Sequence, residues 1–414
     1  MSDRLAIDGG TPARATPFPT RAEGFGGAEM AQLAEVIHSG NLFRVGGKKT
    51  AALEEKFASL LGVKHALAVT SGTAAIHTAV AAINPDPGDE IITTPLTDMG
   101  TIIGILYQNA LPIFADVEAG GYHLDPNSVR EQITSRTKAI IVVHLWGMAA
   151  QMDEFLAIGE QHGIAIIEDC AQAYLTSYKG RLAGTMGEMA CFSMQQSKHI
   201  TCGDGGLVVT NREDLAVRAR LFADKGWNRT DEDRGHVFLG MNYRISELQS
   251  AVALAQLGKV ERFVARRRAL GDRLTKAISG IPGLYPPRDS VSSGNTYWFY
   301  PVRVVEEEFG MSRERFIAAL CAEGVPAWVW LAGQPIYMFE ALREQRTFGR
   351  SHHPFDCPCA SRKVAYGPGL CPNAEQTLRE MVTLTVHEFY TEQDVDDMAA
   401  AIHKLAAAPR LRSG

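Results

Sequence analysis

One lysine of the chain stands in a setting that suits covalent chemistry. Lys198 lies in the segment FSMQQSKHITCGDGG (residues 192–206), where an apolar strand is predicted to enter a polar hairpin and a second strand restarts at Gly206. Glycines in such a turn permit positive φ angles and a close approach of the backbone to a ligand. Shielding from water lowers the pKa of an amine, as a Schiff-base lysine requires. Taken alone, a hairpin lysine is more simply a surface residue.

A second group of residues suits phosphate binding. Ser71, Gly72 and Thr73 follow a predicted apolar strand and open a predicted helix. Backbone amides at a helix N-terminus, with hydroxyl side chains beside them, bind phosphate groups. The alternative is an ordinary helix cap, because serine and threonine cap many helices.

A third candidate is Asp169, in the segment EDCAQA at the end of a predicted buried strand. Burial of a carboxylate is costly unless the group is paired. Either neighbouring loop amides donate to Asp169, or it pairs with a cationic ring nitrogen. The ring of pyridoxal phosphate (PLP) needs such a carboxylate in order to withdraw electrons.

The three groups together are more specific than any one of them. A phosphate cradle is followed roughly a hundred residues later by the acidic strand end, and roughly thirty residues beyond that by the lysine. In this arrangement Ser193 would donate to the same phosphate, and Lys198 would form an imine with the cofactor.

The elements that position these residues alternate between strand and helix. Apolar strands are predicted at residues 65–70, 90–94, 111–117, 139–145, 164–170, 189–194 and 206–210. Uniformly apolar strands separated by helices indicate a buried, mainly parallel sheet with helices on both faces. We therefore predict an α/β fold with three parts: an N-terminal arm (residues 1–25), a large cofactor-binding domain (26–270) and a smaller α+β C-terminal domain (271–414). Helices are predicted at residues 27–39 and 48–61, and a long helical region at 244–278.

Composition excludes several functional classes. The chain has 414 residues and a net charge of −6, which does not favour nucleic-acid binding. It shows no signal-peptide pattern at its beginning and no apolar run of membrane-spanning length. The seven cysteines lack the spacing of a disulfide framework, which predicts reduced thiols and a cytoplasmic location.

These motifs resemble those of the DegT/StrS group of PLP-dependent sugar aminotransferases, which have the aspartate aminotransferase fold (fold type I). The resemblance extends over nearly the whole chain. It rests on SGT at Ser71, on EDCAQA, on FSMQQSK, on GMNYRISELQSAVALAQL (residues 240–257) and on CPNAE (residues 371–375).

The resemblance implies roles for the candidate residues. Lys198 would carry the cofactor imine, Asp169 would hold the ring nitrogen and Gln172 would lie near the ring hydroxyl. The phosphate would be bound by Ser71, Gly72, Thr73 and Ser193. Asn242 matches an asparagine that reaches the phosphate from the partner subunit in that group, so a homodimer with shared active sites would follow.

The sequence departs from the group's pattern at Asp98. The group usually has an aromatic residue there, which stacks on the cofactor ring, whereas this chain reads TPLTDMG (residues 94–100). We still assign Asp98 to the cofactor site. Either Met99 covers the ring instead, or the segment shifts.

Other candidate sites are weaker. His352, His353, Cys357, Cys359 and Cys371 lie close together but lack the paired spacing of zinc sites, so we predict no metal. His144 ends a buried strand and is predicted to be a core histidine. Of the alternating tryptophans at 328 and 330, one is expected to pack inward.

The resulting hypothesis is an aminotransferase that moves an amino group from glutamate or glutamine to a nucleotide-linked keto-sugar or a keto-cyclitol, as in amino-sugar biosynthesis. One alternative is another PLP reaction, such as a dehydratase or an aminodehydroquinate-type synthase. The dehydratases of the group have histidine in place of the lysine, and Lys198 argues against that branch. The other alternative is a regulatory protein that binds PLP without turnover. Arg44, Arg229 and Arg234 are candidates for binding a diphosphate, and the polar loop at residues 227–239 for covering the substrate.

Overall fold

A seven-stranded sheet forms the centre of the molecule. The computed structural model describes residues 4–229, 234–287 and 294–408. The first eleven strands of the chain are β1 His65–Val69, β2 Glu90–Thr93, β3 Leu111–Phe114, β4 Thr137–Val143, β5 Ala165–Asp169, β6 Ser177–Tyr178, β7 Arg181–Leu182, β8 Met189–Ser193, β9 Gly206–Thr210, β10 Trp227–Asn228 and β11 Gly235–His236. The pairs β6–β7 and β10–β11 form two short hairpins, and the other seven strands form the central sheet. The central sheet has the order β1-β9-β8-β5-β4-β2-β3.

The predicted mainly parallel sheet is confirmed. Strands β3, β2, β4, β5 and β8 are parallel neighbours, whereas β9 runs antiparallel to both β8 and β1. The β8–β9 pair is the predicted lysine hairpin, with Ser193 opposite Gly206. The carboxyl ends of β5 and β8, where Asp169 and Ser193 stand, therefore lie side by side at one edge of the sheet.

Helices surround this sheet and continue into the second domain. The helices of the chain are α1 Gly27–Ser39, α2 Lys49–Leu61, α3 Gly72–Ile83, α4 Met99–Tyr107, α5 Pro126–Gln132, α6 Met152–His162, α7 Glu213–Ala223, α8 Glu247–Leu257, α9 Val260–Ile278, α10 Glu306–Phe309, α11 Arg313–Ala322, α12 Glu340–Arg343, α13 Pro372–Glu380 and α14 Glu392–Ala407. Successive residues of a strand point to opposite faces. Accordingly Ile166 packs in one core cluster with Phe155 of α6, and Ile167 in another with Ala79 of α3, so helices cover both faces.

A smaller antiparallel sheet lies towards the C-terminus. Its strands are β12 Leu284–Tyr285, β13 Tyr300–Val304, β14 Ala327–Trp328 and β15 Met381–Leu384, in the order β12-β13-β15-β14. Apolar residues of α9, α11 and α14 form a separate core cluster with this sheet. The sequence patterns missed α4 and β15. They predicted residues 244–278 as one helical region without locating the break between its two helices, α8 and α9, which falls at Gly258.

The proposed domain limits stay a prediction. Helix α9 runs without interruption across the predicted boundary at residue 270, and it contributes Leu270 and Leu274 to the core of the smaller sheet. Within the described residues, no helix is both long enough and apolar enough to cross a membrane.

The expectation of reduced thiols is wrong for one pair of cysteines. Cys357 and Cys359 form a disulfide, while Cys371 is a buried free thiol at the start of α13. The nearby His353 lies with its Nε2 2.9 Å from Oδ1 of Asn109. Three of the five residues of the weak zinc candidate, Cys357, Cys359 and His353, are therefore engaged in other contacts.

Candidate active site

A cavity of about 340 Å³ opens where the carboxyl ends of β5 and β8 meet the N-termini of α3 and α4. Eight of the nine residues assigned from the sequence line it, and only Asn242 does not. The remaining lining residues come from α3, the α4 region, the loop after β5, the lysine hairpin and the C-terminal part of the chain. The lining residues are Ser71, Gly72, Thr73, Ile76, Thr97, Asp98, Gly100, Thr101, Asp169, Ala171, Gln172, Ser193, Gln195, Ser197, Lys198, Asp204, Trp298 and Trp330.

Lys198 is held inside this cavity by a tight turn after β8. Its backbone amide donates to the carbonyl of Gln195 at 2.9 Å, and the residue is only 9% exposed. Burial lowers the pKa of the Lys198 amine to about 8, although the negative charges of Asp169 and Asp98 oppose this shift. A sizeable fraction of the amine is therefore neutral near physiological pH, as a nucleophile or base requires.

Two tryptophans from the C-terminal part of the chain complete the wall near the lysine. The Nζ of Lys198 lies 3.6 Å from the ring centroid of Trp298, whose Nε1 donates to the carbonyl of Ser197 at 2.8 Å. Trp330 packs edge-on against Trp146, with ring centroids 5.1 Å apart. The predicted alternation along one strand is wrong, because β14 ends at Trp328 and Trp330 begins a 3-10 helix; Trp330 is partly buried against the large core cluster. Sequence reasoning missed Trp298, because its neighbour in space is a hundred residues away in sequence.

Asp169 shows the first of the two arrangements that the sequence left open, and its pairing with a ring nitrogen stays a prediction. Its carboxylate accepts from the Ala171 amide at 3.0 Å, as a structural aspartate would, and from Oγ1 of Thr101 at 2.8 Å. It also lines the cavity, although it is only 4% exposed. Burial raises the pKa of Asp169, and the two hydrogen bonds and the charge of Lys198 act in the opposite direction.

The segment from Ser71 to Thr73 forms a compact floor. Ser71 caps α3, because its Oγ accepts from the Ala74 amide at 3.0 Å. The amides of Gly72 and Thr73 precede the first of these hydrogen bonds, so they remain available to an anion. A Cβ at Gly72 would lie 2.7 Å from Cβ of Ser193, and one at Gly206 would lie 2.1 Å from the carbonyl oxygen of Ser71. The lysine hairpin therefore packs directly against the start of the helix.

Gln172 is fixed from behind the cavity. Its Oε1 accepts from the backbone amide of Trp146 at 2.8 Å, and the residue is 4% exposed. This hydrogen bond sets which end of the amide is the acceptor, so the NH₂ group is the part left for other contacts.

Asp98 lies at the mouth of the cavity and is exposed. It caps α4, because its Oδ1 accepts from the Gly100 amide at 2.8 Å. Met99 packs against the large hydrophobic core and, among the described residues, is not part of the cavity wall. The expectation that Met99 covers a cofactor ring is therefore wrong, and the aromatic surface near the lysine belongs to Trp298.

Asn242 lies outside the cavity of its own chain. It is exposed, it forms an isolated bridge with Asp224, and its Oδ1 accepts from the Arg244 amide at 3.4 Å. The polar loop of residues 227–239 contains the small hairpin of β10 and β11, while residues 230–233 lie outside the described part. Arg229 of this loop is paired with Asp224 at 2.5 Å.

His144 is a core histidine, as the sequence predicted. Its Nε2 lies 2.9 Å from Oε2 of Glu168, and both side chains are fully buried. Glu168 also accepts from the backbone amides of Gly184, Met186 and Gly187 at 2.7 to 2.8 Å. This cluster anchors the loop before β8, which in turn positions the strand that leads to Lys198.

Comparison with known proteins identifies relatives over most of the chain. Residues 25–403 match the model of the DegT/DnrJ/EryC1/StrS aminotransferase family. A protein of Micromonospora echinospora, provisionally named an L-glutamine:3-amino-2,3-dideoxy-scyllo-inosose aminotransferase, is 37% identical over 331 residues, which are 78% of this chain and 79% of that protein. The spore coat polysaccharide biosynthesis protein SpsC of Bacillus subtilis is 30% identical over 92% of this chain and 95% of its own length.

A solved structure shows the same fold. DesV of S. venezuelae, determined in complex with a ketimine intermediate, superposes with a TM-score of 0.82 and 27% identity. The match covers 95% of this chain and the whole of that structure.

Proposed function

Because the chain belongs to the DegT/DnrJ/EryC1/StrS aminotransferase family, we propose that it uses PLP to transfer an amino group from glutamate or glutamine to the ketone of a hydroxyl-rich six-membered ring. The observation that carries this proposal is the meeting of Lys198, Asp169 and the N-terminus of α3 in one cavity. The acceptor is a keto-cyclitol or a keto-sugar, because the similar proteins are named for cyclitol and polysaccharide metabolism.

The residues of the cavity fit PLP. The start of α3 supplies unpaired amides and the Ser71 hydroxyl for a phosphate, and Ser193 stands against Gly72 in the same corner. A buried carboxylate and a buried amine line the same space. Bound there, PLP supplies the electron sink that stabilises a carbanion next to the transferred nitrogen.

This chain's own residues then have distinct tasks. Nζ of Lys198 would attach the cofactor and, when free, would carry a proton between the substrate carbon and the aldehyde carbon of the cofactor. Asp169 would hold the proton on the ring nitrogen, and Gln172 would orient the ring through its NH₂ group. Trp298 confines the lysine amine at one side of the cavity. These tasks are proton and position control, which are the contributions that a protein makes to cofactor chemistry.

The charges of the cavity favour a free cyclitol over a nucleotide-linked sugar. Among the described residues that line it, Lys198 is the single cation, whereas Asp98, Asp169 and Asp204 are acidic. Arg44 is occupied by Glu54 and by the carbonyl of Ala68, both at 2.6 Å. A diphosphate would require free cationic groups, which this chain does not place at the cavity within its described part.

The test uses purified protein loaded with pyridoxamine phosphate. Return of the cofactor's aldehyde-state absorbance is followed after addition of a keto-cyclitol such as scyllo-inosose, a nucleotide-linked keto-sugar, or pyruvate. We expect the fastest return with the keto-cyclitol. Faster return with pyruvate would replace the proposal with an amino-acid aminotransferase, and faster return with the nucleotide-linked sugar would overturn the preference for a free ring.

We also propose that two chains share each active site. Asn242 is exposed, and apolar side chains near it in sequence are exposed as well: Val237 at 57%, Leu239 at 94% and Met241 at 39%. Exposed apolar groups of this kind mark protein interfaces. A second copy that covers this surface would carry its Asn242 towards the cavity of the first.

A further inference from the structure

Two threonine hydroxyls form a directed chain that ends on Asp169. Oγ1 of Thr97 lies 2.6 Å from Oγ1 of Thr101, and Oγ1 of Thr101 lies 2.8 Å from Oδ2 of Asp169. Both threonines are 1% exposed, and both line the cavity. The segment that carries both threonines follows β2 and enters α4. From the sequence, only Asp98 of this segment was assigned to the cofactor site.

The direction of these hydrogen bonds follows from proton counting. An ionised carboxylate only accepts, so the single hydroxyl proton of Thr101 is donated to Asp169. Thr101 then has only acceptor capacity left for its other contact, and Thr97 must donate to Thr101. Each bond in such a chain polarises the next, which strengthens the donation to the carboxylate.

We propose that Thr101, oriented by Thr97, is a positioning residue that holds Oδ2 of Asp169 in place and keeps this buried carboxylate ionised. The inference rests on the proposed function, in which Asp169 retains the proton on the cofactor's ring nitrogen. Hydrogen bonding to the charged form of a group favours that form, and in a buried site this effect opposes desolvation. The two hydroxyls thus stabilise the ionised carboxylate of Asp169 without carrying a charge themselves. This stabilisation does not depend on the protonation of Lys198.

Other groups also face the Asp169 carboxylate. Lys198 and His144 favour its ionised form, while the buried thiols of Cys170 and Cys191 lie close to it. Lys198 loses its positive charge whenever its nitrogen is unprotonated. The hydrogen bonds from Thr101 and from the Ala171 amide are contributions that do not change with that charge.

The test is the pH dependence of PLP affinity in the full-length protein. Thr101→Val removes the hydroxyl with little change in volume. A hydrogen bond to a charged group is strong enough to move a pKa by about one unit. Loss of a bond to the carboxylate raises the pKa of Asp169, so the fall in PLP affinity on acidification should begin about one pH unit higher than in the wild type. Thr101→Ser should restore the wild-type profile.

The hydrogen-bonded pair of hydroxyls also predicts how two substitutions combine. Thr97 acts only through Thr101, so Thr97→Val should shift the profile in the same direction by less, and the double valine variant should match Thr101→Val alone. Thr78→Val is the matched control, because Thr78 is fully buried in α3 and its hydroxyl donates to the carbonyl of Ala74, not to Thr97, Thr101 or Asp169. It should leave the profile unchanged.

The outcomes separate this inference from the proposed function. If Thr101→Val binds PLP with an unshifted pH profile, or if the double variant is additive, the hydroxyl chain has no such role and the proposed function still stands. If the wild-type protein binds no PLP, the proposed function fails and the inference falls with it. An equal shift in Thr78→Val would show a general effect of destabilisation and would overturn the inference.

Discussion

The amine of Lys198 rests on the face of Trp298, with Nζ 3.6 Å from the ring centroid. The two residues belong to different parts of the chain, and the indole is tied to the lysine turn by its own hydrogen bond to Ser197. An aromatic face attracts an ammonium group and also keeps water away from it. Trp298 therefore fixes the position of the amine that the proposed chemistry uses.

Replacement of Trp298 should slow cofactor uptake. We expect Trp298→Leu to bind PLP about 3- to 30-fold more slowly or weakly, because the aromatic face that positions the amine and keeps water away from it is lost. Trp298→Phe keeps an aromatic face and should lie closer to the wild type. Trp328→Leu is the control, since Trp328 packs edge-on against Phe299 and does not line the cavity. Stopped-flow absorbance measures the rates, and equal losses in both leucine variants would contradict the assignment.

Uptake of PLP by the apoprotein should rise with pH. Only the neutral amine of Lys198 attacks an aldehyde, and burial lowers the pKa of this amine to about 8. The rate should therefore be low below pH 7, increase through a midpoint near pH 8 and reach a plateau above pH 9. A midpoint above pH 10 would indicate a lysine that is exposed to water. Borohydride reduction and peptide mapping should place the label on Lys198, and a label on another lysine would rule out the site.

Gly72 should not tolerate a side chain. Gly72→Ala places a Cβ 2.7 Å from Cβ of Ser193, which forces apart the helix start and the lysine hairpin. Such overpacking is costly, and we expect PLP affinity to fall by about tenfold or more. Gly258→Ala is the control, since a Cβ there meets only the carbonyl of Ala255, at 3.5 Å. Affinity is measured by fluorescence titration. Equal affinities of the two variants would show that Gly72 does not shape the proposed phosphate-binding site.

Asp169→Asn should separate catalysis from folding. The amide keeps the shape, and its oxygen can still accept from the Ala171 amide while its NH₂ group can donate to Oγ1 of Thr101, so the thermal midpoint should change little. Because a neutral amide does not hold a proton on a ring nitrogen, amino transfer should fall by at least about a hundredfold. Single-turnover kinetics with glutamine measure this loss. Near-normal turnover would show that Asp169 is structural.

Mixed dimers test the shared active site. A Lys198→Ala chain and an Asn242→Ala chain should each be impaired as homodimers. A dimer of one of each contains one site with both residues intact, so random mixing should recover up to about a quarter of wild-type activity. Recovery is assayed after unfolding and refolding the two chains together. No recovery of activity would contradict the proposed contribution of Asn242. An active enzyme that is a monomer by light scattering would contradict it as well.

The sequence by itself determined many of the local elements and eight of the eighteen residues that line the cavity. Strand β5 and its terminal Asp169, the cap at Ser71 and the glycine-flanked hairpin around Lys198 depend on local apolar runs, on capping chemistry and on turn residues. Such signals act over a few positions, so they can be recognised in one dimension. Resemblance of the motifs then indicated the fold class, which the structure confirms.

Only the tertiary structure decided what surrounds those residues. Trp298 meets Lys198 across a hundred positions, and Thr101 meets Asp169 across sixty-eight. The α4 region showed no strong polar pattern, because Thr97 and Thr101 are buried in an otherwise apolar segment. Met99 could be assigned to the core only once α4 turned it away from the cavity. Contacts of this kind arise from the packing of whole elements, which no local pattern specifies. For that reason Lys198, Asp169 and the segment from Ser71 to Thr73 could be named as candidates from the sequence, whereas the groups that contact them could not.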